Sequence, residues 1–87
     1  MNLRNFQVIR KKNTNIILMD LKLPGMNGLE ATRLVKEKNP DTKAVILSMY
    51  DASDYQNSAI SAGANAYVTK HKMYTELVPV LNKFLYN

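Results

Sequence analysis

Three short apolar runs, Ile16–Met19, Ala44–Leu47 and Ala66–Val68, limit what this chain can fold into. None alternates between apolar and polar residues, and each is bounded by turn formers. Runs of this length fit strands buried on both faces, as in a parallel sheet. Helical patterns lie between them. Leu29–Lys38 places Ala31, Leu34 and Val35 on one stripe and stops at Asn39-Pro40, because proline disfavours a helical residue before it. Ser53 or Asp54 can cap a second helix, with Tyr55, Ala59 and Ala62 on its apolar side and Gly63 at its end. Leu77, Val78, Leu81, Phe84 and Leu85 mark a third helix, and Pro79 sets its start no earlier than about Thr75. Leu3, Phe6 and Ile9 suggest a short leading helix. The order α-β-α-β-α-β-α implies right-handed crossovers and a parallel sheet with helices on both faces.

Ligands of such sheets bind outside the carboxyl ends of the strands. The first strand is expected to end at Asp20, the second at Ser48 and the third at Lys70. A carboxylate, a hydroxyl and an ammonium thus converge on one edge. A carboxylate can act as a nucleophile towards phosphorus, and the transferred group needs a cation and hydrogen-bond donors for its oxygens. Singly, each residue has a plain structural role as a turn former, a capping hydroxyl or a surface lysine. Their joint placement points to phosphoryl chemistry.

Composition excludes other classes. The chain of 87 residues has no Cys and one His, so disulfides and thiolate metal sites are ruled out and a zinc site is not expected. No apolar run approaches the ~20 residues of a membrane span, and there is no signal-peptide pattern, so a cytoplasmic location is expected. The net charge of +5 is concentrated at the start, where residues 1–14 hold Arg4, Arg10, Lys11 and Lys12 and no acid. No aromatic residues interleave with these charges as a stacking platform, so they read as a solvated face and direct nucleic-acid binding is not expected.

The stretch I-I-L-M-D-L-K-L-P-G-M-N-G-L-E resembles the phosphoacceptor strand and loop of the receiver domains of two-component response regulators. A-V-I-L-S-M-Y-D resembles the family's hydroxyl-bearing fourth strand, and S-A-G-A-N-A-Y-V-T-K its fifth. The S-M-Y-D variant and the non-proline after Lys70 are most similar to receivers paired with helix-turn-helix output domains. The resemblance implies a flavodoxin-like α/β fold and assigns roles. Asp20 would accept the phosphoryl group, Ser48 would bind one of its oxygens and Lys70 would pair with it. Lys22 would offer its backbone carbonyl to Mg²⁺, Tyr67 would be the switch aromatic, and Met49 and Tyr50 would line the mouth. Tyr74 and the last helix would belong to the face that partners read. A sensor histidine kinase is the implied partner, and self-phosphorylation on Asp20 from a phosphodonor is the most enzyme-like activity implied.

The chain departs from the family at its beginning. A complete receiver opens with a strand, a helix and a second strand, and an acidic pair after the first strand helps hold Mg²⁺. Here no Asp or Glu precedes Asp20. The expectation is a single partial receiver over 1–87, with 1–14 the remnant of a leading helix and 15–87 forming three β-α units. With Asp20 as the only expected carboxylate, Mg²⁺ affinity should fall sharply, since the ion wants several hard oxygen ligands. Asp51 and Asp54 follow the wrong strand to substitute. The missing first strand would also leave Ile16–Met19 as an open apolar edge, which predicts a homo-oligomer formed through that edge or by exchange of an element.

Phosphoacceptor signalling with impaired Mg²⁺-dependent phosphorylation is therefore the leading functional reading. The alternative is a non-catalytic interaction or dimerisation module derived from a receiver, with Asp20, Ser48 and Lys70 idle. A hydrolase ranks last: there is no Gly-rich phosphate loop, no paired carboxylates, and His71 reads as a solvated loop histidine.

Overall fold

The computed structural model describes residues 6–11, 14–21 and 26–86. Its elements are β1 (Phe6–Lys11), β2 (Thr14–Leu21), α1 (Met26–Lys38), β3 (Lys43–Ser48), α2 (Ser53–Ser61), β4 (Ala66–Thr69), a 3₁₀ turn (Lys70–Lys72) and α3 (Met73–Leu85). The sheet order is β1-β2-β3-β4; β2, β3 and β4 are parallel, and β1 lies antiparallel on the outer side of β2. The expected parallel α/β sheet with flanking helices is therefore present.

The strand faces divide the core in two. Met19 and Ile46 look towards α1 and α2, packing with Ala31, Ala59 and Ala64. Ile16, Val45, Leu47 and Val68 look the other way, under the face of α3 formed by Met73, Leu77, Val80, Leu81, Phe84 and Leu85. Residues i and i+2 share a face of a strand, so apolar residues on both parities require cover on both sides. Thr32, an unexpected polar member, is fully buried in α1. Its hydroxyl is satisfied locally, donating to the Gly28 carbonyl at 2.9 Å.

Several boundaries differ from expectation. The leading helix expected over 1–14 is, over Phe6–Lys11, a strand whose register runs from Phe6↔Met19 to Lys11↔Thr14; Leu3 lies outside the described residues. The segment F-Q-V-I-R-K carries adjacent β-branched residues, and β2 offers a row of backbone groups that need partners. The edge of Ile16–Met19 is consequently paired rather than open, and the reason for expecting a homo-oligomer through it is removed.

The first parallel strand continues one residue past Asp20, to Leu21, and the last ends at Thr69, leaving Lys70 in the 3₁₀ turn. That turn, together with Met73 packing on the core, starts α3 at Met73 rather than Thr75, so Pro79 sits inside the helix. Val78 is 61% exposed and Val80 takes its place in the buried stripe; Leu34 likewise faces outward, because Ala31, Thr32 and Val35 centre the buried side of α1. The N-cap of α2 is Ala52, with no side-chain cap. Its C-terminus is tied by Gly63 N–H to the Ile60 carbonyl at 2.9 Å and Ala64 N–H to the Ala59 carbonyl at 3.1 Å. These two bonds form a Schellman ending, which Gly63 permits at φ 112°.

Candidate functional site

The parallel register sets the site. Asp20 is paired with Leu47, Leu21 with Ser48, and Ser48 with Thr69. Asp20, Ser48 and Lys70 therefore step across one edge of the sheet, at the carboxyl ends of three adjacent strands. β2 and β4 flank β3 and so lie about 10 Å apart, twice the strand spacing. Only a long side chain spans that gap, and Lys70 does: its Nζ lies 2.5 Å from Asp20 Oδ1. The Lys70 side chain is 24% exposed and that of Asp20 43%. Asp20 Oδ1 itself is shielded and makes no directed hydrogen bond, so its contact with the ammonium is an ion pair. The exposure of Asp20 belongs to its other atoms, which leaves the carboxyl group accessible from solution.

Ser48 is fully buried. Its Oγ accepts the Tyr50 N–H at 3.1 Å. The Tyr67 phenol donates its single proton to the Tyr50 carbonyl at 2.5 Å. The Tyr50 backbone thus links Ser48 and Tyr67, its N–H given to one and its carbonyl accepting from the other. Burial pushes the Tyr67 phenol above its ordinary value, and the Ser48 hydroxyl opposes that shift. Tyr55, on α2, meets Tyr50 and Tyr67 edge-on at 5.7 and 6.0 Å between ring centroids. Such contacts stabilise ring positions beyond simple area burial.

The remaining candidates lie around this core. Met49 and Tyr50 are exposed directly after Ser48, and Tyr74 is exposed at the start of α3. His71 Nε2 lies 3.7 Å from Asp51 Oδ2, both side chains at least half exposed, and Asp54 sits in the first turn of α2. Lys22 lies outside the described residues. Tyr55 was missed as a site residue; its place on the apolar side of α2 gives no sign by itself that it meets Tyr50 and Tyr67.

The Mg²⁺ implied by the resemblance can be tested against these donors. All seven acids of the chain are among the described residues. No three acidic or histidine side chains among them gather in a group that could hold a metal ion. The carboxylate of the strand-end trio, Asp20, has an ammonium on Oδ1. Among the described residues, an ion that demands near-octahedral oxygen coordination does not find a fitting donor set. Among the described residues no helix is long and apolar enough to cross a membrane.

Comparison with known proteins agrees with this geometry. Residues 3–82 match the response regulator receiver domain family. The transcriptional regulatory protein DegU of Brevibacillus brevis is 38% identical over 64 residues, which cover 74% of this chain and 27% of that protein. A LuxR-family two-component response regulator from Aurantimonas sp. SI85-9A1 superposes with a TM-score of 0.68 at 38% identity, covering 78% of this chain and 49% of that one. A LuxR-family DNA-binding response regulator from Staphylococcus aureus gives 0.65 at 30% identity, covering 79% and 57%. The chain thus spans about a third or less of the curated relative and about half of the solved chains. With the matched family covering nearly all of its length and its three chemistry-bearing residues at one sheet edge, this chain belongs to the response regulator receiver domain family.

Proposed function

We propose that the chain is a phosphoacceptor module of a two-component system in which Asp20 receives the phosphoryl group. The observation that supports this most directly is the Lys70 ammonium, 2.5 Å from Asp20 Oδ1, at the sheet edge where β3 ends in Ser48. An Asp20 oxygen forms the new bond to phosphorus as the bond from phosphorus to the donor's leaving group breaks, and the leaving group departs with that electron pair. Lys70 then balances charge on the phosphoryl oxygens, and Ser48 donates its hydroxyl proton to one of them. Tyr67, whose phenol is tied to the Tyr50 carbonyl two residues after Ser48, changes position in response and gives the switch its readout. The donor in a cell is a sensor histidine kinase, and the site of action is the cytoplasm. Because the donor set does not suit Mg²⁺, phosphorylation of this chain is slow and gains little from the ion.

Intact-mass spectrometry after incubation with acetyl phosphate, with and without Mg²⁺, tests the reading on the native chain and on Asp20→Ala. A single phosphoryl adduct should accumulate in the native chain, vary little with Mg²⁺, and be absent from the variant. Strong acceleration by Mg²⁺ would refute the claim of impaired metal use. Absence of any adduct would leave the interaction module as the surviving function.

A further inference from the structure

Tyr55, in the first turn of α2, touches a tyrosine of the loop after β3 and a tyrosine of β4. Its ring meets Tyr50 edge-on at 5.7 Å with an interplanar angle of 87°, and Tyr67 at 6.0 Å and 72°. An edge-on pair sets the positive rim of one ring against the negative face of the other, so the contact has a preferred direction as well as a buried area. The Tyr67 phenol is tied separately, donating to the Tyr50 carbonyl at 2.5 Å. A hydroxyl can reach one carbonyl from several ring planes, and the ring of Tyr55 selects among them.

Tyr55 is itself anchored. The first turn of α2 has no side-chain cap and is joined instead to the residues before it. The Gln56 N–H donates to the Ala52 carbonyl and Gln56 Nε2 to the Asp51 carbonyl, each at 3.1 Å. Loop and first turn thus form one unit, which holds Tyr67 at two points, the Tyr50 carbonyl and the Tyr55 ring. The same loop reaches Ser48, whose Oγ accepts the Tyr50 N–H at 3.1 Å. Tyr67 cannot turn without breaking or rebuilding its contact with α2.

We propose that Tyr55 is a positioning residue of this site: its ring holds Tyr67 in the resting orientation and so opposes phosphorylation of Asp20. The inference rests on the reading of Asp20 as acceptor and Tyr67 as the residue that moves. A contact made in the resting orientation alone stabilises the unmodified chain, and linkage requires that its removal favour the modified one by the same factor. An edge-on pair is strong enough to change that ratio about two- to tenfold. Whether formation speeds up or loss slows down, the ratio of modified to unmodified chain rises. Tyr55 touches no reacting atom and moves no proton; it acts through Tyr67.

The test measures that ratio at steady state by intact-mass spectrometry, at an acetyl phosphate concentration that leaves most of the native chain unmodified. As Asp20 forms its bond to phosphorus, the acyl-phosphate O–P bond breaks and acetate leaves with the electron pair. The native chain is compared with Tyr55→Leu and Tyr55→Phe. Tyr55 is half-buried on its helix, and leucine keeps an apolar side chain of good helix propensity while removing the aromatic face and rim. Tyr55→Leu should raise the ratio about two- to tenfold, and Tyr55→Phe, which keeps the ring, should match the native chain. A gain in modification is not what a packing defect produces. An unchanged or lower ratio in Tyr55→Leu, with an adduct in the native chain, would overturn the proposal and leave Asp20 as acceptor. An equal gain in Tyr55→Phe would also overturn it, because the hydroxyl and not the ring would then be acting. No adduct in the native chain would remove both this proposal and the reading of Asp20 on which it rests.

Discussion

Asn65, at the entry to β4, offers the sharpest quantitative test of the fold beneath the site. Its backbone N–H donates to the Ala44 carbonyl at 2.7 Å, while its side-chain Oδ1 accepts the Ala44 N–H at 2.9 Å. The same Oδ1 accepts from Lys36 Nζ at 3.0 Å, and that ammonium also reaches the Thr42 carbonyl at 2.6 Å. One amide oxygen thus joins the C-terminal end of α1 to the starts of β3 and β4. Burial, and Lys43 nearby, hold the Lys36 ammonium below the usual lysine range, so its acceptors matter more than those of a free surface lysine.

Replacing Asn65 by Ala strands the N–H of Ala44, a fully buried residue. An unsatisfied buried donor costs about 1–3 kcal/mol. Lys36 keeps its carbonyl partners, so its share adds little. The expected loss is about 2 kcal/mol, a large part of the 5–15 kcal/mol typical of a domain. In urea, with a slope of about 1–3 kcal/mol per molar, the midpoint should fall by roughly 1 M while the slope stays unchanged. Asn65→Asp retains the oxygen and faces the Lys36 ammonium, so it should remain close to native. A midpoint for Asn65→Ala within about 0.2 M of native would refute the reasoning, because the Ala44 N–H would then have found water. Equal damage from Asp would show that the amide nitrogen, not Oδ1, is what counts.

Gly63→Ala should cost about 1–2 kcal/mol, since φ is 112° and the added Cβ would meet Lys36 Cγ at 3.0 Å; urea unfolding measures it. The Tyr67 phenol is raised above 10.0, chiefly by burial, so the folded chain holds this proton more tightly than the unfolded one does. That contribution is complete below pH 10 and disappears as pH rises through the raised pKa. The stability advantage of the native chain over Tyr67→Phe, measured by urea midpoints at about pH 8 and about pH 11, should therefore shrink at the higher pH. An advantage that stays constant or grows would contradict the buried, proton-donating geometry.

Apolar runs located the three parallel strands because burial on both faces leaves a signal in residue type alone. Helix ends were legible where chain chemistry fixes them, at Asn39-Pro40 and at Gly63, and less so where packing decides. Nothing local to Val78 and Val80 tells which faces the sheet; the 3₁₀ turn over Lys70–Lys72 sets the rotation of α3 and brings Val80 inward. Phe6 and Ile9 are three residues apart, a spacing that suits one face of a helix, while the sequence around them is equally compatible with a strand. The choice is made by the backbone of β2, whose outer side needs partners, and a long-range demand of that kind has no signature at residues 6–11 themselves.

The site divides along the same line. Asp20, Ser48 and Lys70 could be placed at one edge because strand ends can be counted along the chain. The link between Ser48 and Tyr67 through the Tyr50 backbone could not, since it depends on Tyr67 reaching back over the loop that follows β3. Neither could the cover over Ser48, whose full burial depends on elements far away along the chain. Residue type identifies which groups can carry charge or a proton, but register decides which are already committed. At this edge the Tyr67 proton is committed to the Tyr50 carbonyl and the Lys70 ammonium to Asp20 Oδ1, commitments that residue type alone does not announce.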